Sequence, residues 1–240
     1  MKKLTALLLS ALLVVPFISS CEKDDEGPQM SVLATVLPFW NEVGFAIQMD
    51  NGETMYPGKV RVNYKVKDEA QRAIIQFSKI NTPIEGFTYN ADIYNIVELD
   101  TKEIKVAKSS DEKLGSDGIE IVEAFIGGGY LNIEFKVNID PYAKEQTHVV
   151  ELVDNQINGE PKFSTHYPLE LRFRRAHSLQ GEKGQTVSNI ACFYLGRYTL
   201  DRLNCQGYEL KFMGLDNDGK EDPEGTHMQS VKITPAASNL

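Results

Sequence analysis

The sequence predicts an all-β protein of two domains, a small barrel followed by a sandwich. Apolar and polar residues alternate through most of the chain, which is the period of half-buried strands. Sustained helical periodicity is confined to the amino-terminal leader, with one further helical turn expected around Asp68 to Ala73. The 240 residues are 42% hydrophobic and 25% charged, which excludes a disordered or collagen-like chain and leaves enough apolar mass for two cores.

A first strand is expected near residues 31–37. Phe45, Ile47 and Met49 then alternate into Asp50-Asn51-Gly52, where Asn-Gly is the favoured pair for a tight hairpin turn because both residues tolerate positive φ. Val60, Val62, Tyr64 and Val66 alternate with Arg61, Asn63, Lys65 and Lys67 as a third strand, and another is expected over 87–98. Lys108 to Gly118 is polar, punctuated by glycine and aperiodic, so it reads as a linker between a barrel over 30–115 and a sandwich over 116–240. Beyond it, Leu131, Ile133, Phe135, Val137 and Ile139 form one alternating set, and Tyr167, Leu169, Leu171 and Phe173 another. Further strands are expected near 119–125, 147–153, 187–199, 206–213 and 228–234. About five strands suit a small barrel, and six or more suit a sandwich.

The leader states an address. Lys2 and Lys3 precede an almost wholly apolar run from Leu4 to Ile18, which as a helix would reach roughly 22 Å, short of the roughly 30 Å hydrocarbon core. Residues 1–20 are therefore read as a signal peptide rather than a membrane span. Ile18-Ser19-Ser20-Cys21 resembles a bacterial lipobox, which implies lipidation of Cys21 as the first mature residue and a membrane anchor worth roughly 0.8 kcal/mol per buried CH₂. Residues 21–29 form an acidic tether, and its Lys23-Asp24-Asp25 resembles the surface-export signal of Bacteroidota lipoproteins. The implied location is the outer membrane, at the cell surface or else facing the periplasm. Loss of Lys2 and Lys3 with the leader leaves 23 basic against 34 acidic side chains, a mature charge of -11. Nucleic acid is not an expected partner of so acidic a protein.

Four segments occur in order: Pro57-Gly58-Lys59-Val60-Arg61-Val62-Asn63-Tyr64, Tyr94-Asn95-Ile96-Val97, Gly127-Gly128-Gly129-Tyr130-Leu131-Asn132-Ile133-Glu134-Phe135, and Leu169-Glu170-Leu171-Arg172. With the lipoprotein start, they resemble the NigD-like family of Bacteroidota lipoproteins over nearly the whole mature chain. The resemblance implies an N-terminal OB-like barrel and a C-terminal β-sandwich. It implies little about activity, and it carries no catalytic or binding residues across. The basic run Arg172-Phe173-Arg174-Arg175 departs from the more neutral strand end expected there.

Chemistry is sparse. The chain has no Gly-x-Ser-x-Gly elbow, no His-Glu-x-x-His and no phosphate loop, and Gly127-Gly128-Gly129 precedes a strand, where it reads as a flexible approach or a bulge. Cys192 could serve as a nucleophile with His148, His166, His177 or His227 as base, but Ile190-Ala191-Cys192-Phe193-Tyr194 looks like a core strand in which cysteine is a small hydrophobe. Cys192 and Cys205 could also form a disulfide. A hairpin turning near Arg202 would set them about six residues apart along the ladder, near 20 Å at roughly 3.4 Å per residue and beyond bridging distance, whereas a bulge or another topology would bring them within reach. Asp216-Asn217-Asp218-Gly219 has the start of a calcium loop but lacks both end ligands, so Asp216 and Asp218 are a weak calcium candidate and no cofactor is expected.

Binding is the remaining class. Trp40, in Pro38-Phe39-Trp40-Asn41 between two strands, could offer an aromatic platform, and Arg172, Arg174, Arg175 and His177 a cationic patch. A core or lid position for Trp40 and a solvated strand end for the arginines are the plainer readings. The expected protein is a surface-exposed lipoprotein acting as a non-catalytic binding module for a protein or glycan. The alternatives are an envelope-protection or bacteriocin-immunity role, and an unrecognised hydrolase.

Overall fold

A computed structural model describes residues 30–39, 44–110, 112–140, 148–176, 184–215 and 228–235. Five strands make the first domain: β1 (Met30–Pro38), β2 (Phe45–Met49), β3 (Thr54–Val60), β4 (Gln71–Ile80) and β5 (Tyr89–Glu98). They close into a barrel in the order β1-β2-β3-β5-β4, with β3 and β5 parallel and the other neighbours antiparallel. Alternate residues fill it. Val36, Phe45, Ile47, Met55, Ile75, Phe77 and Ile93 form the core, each contributing about 1.5–3 kcal/mol by its burial.

Two details of the barrel depart from expectation. The segment expected to turn helically around Asp68 instead bends and enters β4, whose inward Ala73, Ile75 and Phe77 are the period-two signal for that strand. The alternation from Val60 to Lys67 is real as burial, with Val62, Tyr64 and Val66 partly covered and their neighbours exposed. Ladder pairing nonetheless stops at Val60. The Arg61 N–H still donates to Ile93 O at 2.8 Å, and the segment beyond it lays Tyr64 and Val66 on the barrel core, with the Tyr64 ring edge-on to Phe45 at 5.4 Å. An extended chain with one apolar side gains its burial without a ladder.

The second domain holds β6 (Asp100–Glu103), β7 (Lys105–Ala107), β8 (Glu120–Gly127), β9 (Tyr130–Ile139), β10 (Val149–Asn155), β11 (His166–Arg174), β12 (Gln185–Tyr194), β13 (Gly207–Met213) and β14 (Met228–Ile233). One sheet runs β14-β13-β11-β10-β7 and the other β6-β12-β9-β8. Leu131, Ile133, Phe135, Leu152, Leu169, Leu171, Phe173, Phe193 and Tyr208 fill the space between them. β6 pairs with β12 and β7 with β10, so the chain leaves the barrel at Leu99 and residues 100–107 belong to the sandwich. The boundary expected at 115 therefore lies earlier. Lys108 to Gly118 connects two sandwich strands, and Asp117 is bound to β11 through its own N–H to Phe173 O and by the Arg175 N–H to its Oδ2.

β12 ends at Tyr194, short of the strand expected through 199. Gly196, at φ +42°, starts a 3-10 turn over Gly196–Tyr198, followed by the short helix α1 (Leu200–Leu203) and the left-handed Asn204. This passage carries the chain from one sheet to the other, so β12 and β13 are not a hairpin. Beneath it, buried Asp154 accepts hydrogen bonds from Tyr167 Oη at 3.0 Å, Tyr198 Oη at 2.9 Å and Gln156 Nε2 at 2.6 Å. One carboxylate thus ties the 3-10 turn to the opposite sheet. Burial drives the hydroxyls of both tyrosines to higher pKa, Tyr198 to about 12.

Candidate functional site

The domain junction is built from two turns and the start of one strand. β2 and β3 are joined by Asp50-Asn51-Gly52, but only Gly52 has positive φ: the Gly52 N–H donates to Met49 O at 3.0 Å and the Met49 N–H to Glu53 O at 2.8 Å. The turn is thus a three-residue type with a left-handed glycine, not the two-residue turn expected of Asn-Gly. The Asp50 carboxylate receives Arg72 in a fork, Nη1 to Oδ1 at 2.6 Å and Nη2 to Oδ2 at 2.9 Å, and Nη1 also donates to Thr35 Oγ1 at 3.1 Å. Arg72 is fully buried, while the Asp50 side chain is 27% exposed.

The sandwich closes over this pair with its glycine block. Gly127 and Tyr130 face each other across the β8–β9 hairpin, and Gly128 (φ +61°) with Gly129 (φ +83°) forms a two-residue turn of the type that needs positive φ twice. The block is therefore the turn itself rather than an approach or a bulge. A Cβ on Gly127 would collide with Asp50, and one on Gly128 with both Asp50 and Arg72. The Tyr130 ring lies 5.2 Å from the Arg72 guanidinium carbon, and buried Asn132 turns its Nδ2 to the Gly127 and Tyr130 carbonyls. On the barrel side, Gln71 Nε2 donates to Leu99 O at 2.6 Å and to Thr101 Oγ1 at 2.7 Å, joining β4 to β6.

The other resemblance-bearing segments are also contacts. Gly58 sits at a bulge of β3 so close over Asn90 that a Cβ would strike its Oδ1. Arg61 forks onto Asp92 at 3.0 and 2.8 Å and stacks over Tyr94 at 4.5 Å. That fork, with burial opposing it, holds the Asp92 carboxyl below the usual carboxylate range. Glu170 accepts a short hydrogen-bonded ion pair from Arg172.

Of the residues singled out from sequence, Cys21, Lys23, Asp24, Asp25, Trp40, Asp216, Asp218, His177 and His227 lie outside the described residues. Arg172 and Arg174 share the outer face of β11, but Arg172 is committed to Glu170, so only Arg174 stands exposed there and the two do not make the expected cationic patch. Cys192 and Cys205 are free thiols, not a disulfide, because the crossover places β12 and β13 in different sheets. Cys192 points out of the sandwich core into the domain junction, where burial raises its thiol to about 11 even as Arg72 pulls it down. His148 and His166 belong to the opposite sheet, so neither is brought to it as a base. Among the described residues no three His, Cys, Asp or Glu side chains converge as a metal site, and no helix is long and apolar enough to cross a membrane.

Two grooves remain. One, of about 820 Å³, opens on the barrel beside Tyr64, Val66 and Ile96, and its Lys67 and Glu98 neutralise each other at 2.5 Å. The other, of about 450 Å³, lies on the outer face of β11, β13 and β14, where Lys162, Lys211 and Lys232 converge around a single carboxylate, Glu209. Those lysines were missed in the sequence because they come from three separated segments.

A closed five-stranded barrel locked onto a nine-stranded sandwich defines a two-domain OB-plus-sandwich protein. Family models agree: the NigD-like N-terminal OB domain matches residues 33–99 and the NigD-like C-terminal β-sandwich domain residues 102–222. The chain belongs to the NigD-like family. Solved structures share the fold. A protein of unknown function from Bacteroides vulgatus matches at 19% identity and a TM-score of 0.68, covering 88% of this chain and 93% of that one. A NigD-like immunity protein from Bacteroides caccae matches at 18% identity and a TM-score of 0.55, covering 85% and 96%. A candidate lipoprotein from Bacteroides fragilis matches at 9% identity and a TM-score of 0.62, covering 88% and 100%. No curated protein matches the chain in sequence.

Proposed function

We propose that this protein is a lipid-anchored protein of the outer membrane, displayed at the cell surface, that binds a protein or glycan ligand and performs no chemistry of its own. The observation that carries the reading is how the polar side chains are used. Among the described residues the buried charges Arg72, Asp92 and Asp154 are each engaged in holding strands, turns or domains together, and burial raises the Cys192 thiol to about 11, which favours its protonated form. What faces outward instead is an open groove in which three lysines outnumber the lining carboxylate, Glu209, beside an aromatic side chain. The lipobox ending in Cys21 supports the anchor, and Lys23-Asp24-Asp25 supports surface display.

The test is a pull-down with residues 22–240 against a glycan array and against solubilised outer envelope. A reproducible ligand in either arm is expected, and none in both would overturn the reading. Cys21→Ala should abolish incorporation of labelled lipid. Alanines at Lys23, Asp24 and Asp25 should leave lipidation intact and reduce cleavage by external protease; unchanged shaving would reduce the acidic run to a tether.

An immunity-type role is the second reading, favoured by the shared fold with the NigD-like immunity protein of Bacteroides caccae. It expects that deleting this gene sensitises its host to a bacteriocin-producing neighbour and that the envelope arm, not the glycan arm, returns the ligand. Unchanged survival in such co-culture would remove it.

A further inference from the structure

From the groove on the sandwich we infer a binding site for an anionic sugar, one carrying a carboxylate or phosphate. The inference rests on the reading of the protein as a binding module and names the chemistry of its ligand. β13 buries Tyr208, Leu210 and Phe212 and turns Glu209 and Lys211 outward. The ladder sets Lys232 of β14 directly beside Glu209 and Pro168 of β11 on its other side. One step along, His166 stands beside Gly207, which is buried because the Ile233 carbonyl and the His166 ring fill the space a side chain would take. The connection from β10 to β11 adds Lys162 and Phe163 to the groove's lining.

Charge decides between the two grooves. Lys162, Lys211 and Lys232 make no ion pair among the described residues, whereas Lys67 in the barrel groove is paired with Glu98. Glu209 is the carboxylate in the lining, Glu170 beside Lys211 is taken by Arg172, and even with Glu160 nearby the three lysines leave a local excess of positive charge on a protein of mature charge -11. An extended polyanion would meet repulsion beyond the groove, while a compact anionic group would not. The volume of about 450 Å³ falls in the range of small-ligand sites.

Phe163 supplies the sugar half of the recognition. It is 38% exposed, and its ring is held edge-on to Tyr167 at 5.0 Å, whose hydroxyl is fixed by Asp154. An aromatic ring positioned in this way offers a flat apolar face at little further ordering cost. The hydroxyls of Ser164 and Thr165 line the same groove and suit sugar hydroxyls.

The experiment titrates residues 22–240 with trigalacturonic acid, glucose 6-phosphate, neutral maltotriose and inorganic phosphate, read by calorimetry at low and high salt. Binding of one acidic sugar, weakening with salt, is expected, and the carboxylate and phosphate arms identify which anion is preferred. Lys211→Ala with Lys232→Ala should weaken it at least tenfold, Phe163→Ala should weaken it toward the affinity of inorganic phosphate, and Lys65→Ala in the barrel groove should leave it unchanged. Equal binding of maltotriose, indifference to the lysine variants, or inorganic phosphate binding as tightly as the sugar would each overturn the inference. So would no binding by any probe. If that last result came with a ligand retained in the pull-down, the groove assignment would fall while the binding-module reading stood.

Discussion

Removing Asp50 should damage this protein more than removing Arg72, although the two make one ion pair. The asymmetry follows from exposure: the guanidinium is fully buried and the carboxylate side chain is 27% exposed. Asp50→Ala leaves Arg72 with the neutral Thr35 hydroxyl and Cys192 thiol as side-chain partners, and an uncompensated buried charge costs about 3–5 kcal/mol. Arg72→Met fills most of the same space with apolar atoms and leaves a carboxylate that water reaches, so about 1–2 kcal/mol is expected. The double variant carries neither charge and should lose less than Asp50→Ala alone, with a coupling of at least ~2 kcal/mol. Urea unfolding of residues 22–240, followed by far-ultraviolet circular dichroism, measures all four corners of the cycle. In thermal scans the Asp50→Ala loss corresponds to roughly 6–20 °C for a chain of this size. Equal losses for the two single variants, or additive losses in the double, would refute the claim that this buried pair stabilises the barrel where the sandwich packs on it.

Gly128→Ala should cost about 2 kcal/mol or more, because positive φ strains alanine and its Cβ meets Asp50 and Arg72, whereas Gly129→Ala, with open space around it, should cost only the ~1–2 kcal/mol of backbone strain; equal unfolding midpoints would contradict the packing account. In residues 22–240 both thiols should react in denaturant, but in the native protein at pH 8 Cys205 should react much faster than Cys192, whose thiol is raised to about 11. Fewer than two reactive thiols in denaturant without reductant would mean a bond the structure lacks. Asp92 has a depressed folded pKa, so its contribution is fully present above the unfolded value of about 3.9 and lost as pH falls through the lower folded value. Asp92→Asn should therefore flatten the acid limb of stability against pH, and parallel acid limbs would show that the Arg61 fork contributes nothing.

Much of the architecture was legible in the residues. Alternating apolar residues exposed the sandwich strands from Leu131 to Ile139 and from Tyr167 to Phe173, although Asn132, on the polar side of the first set, is buried at the junction. β4 was hidden because its outward positions include apolar Ile74, and because Gln71 and Arg72 at its start are buried polar residues that belong to the junction. β6 and β7 were hidden by shortness, and only their partners β12 and β10 assign them to the sandwich.

The sequence by itself determined the strand period and the two cores, since these depend on neighbouring side chains along one segment. Tertiary structure alone decided which polar residues meet. Asp50, Arg72 and Gly128 come from three distant stretches, as do Lys162, Lys211 and Lys232. A buried arginine is indistinguishable from a solvated one until its carboxylate is seen beside it, and a glycine turn is only a turn until something is packed where its side chains would be. Pairing of charges across a fold depends on topology, and topology is set by the closure of whole sheets rather than by any local run of residues.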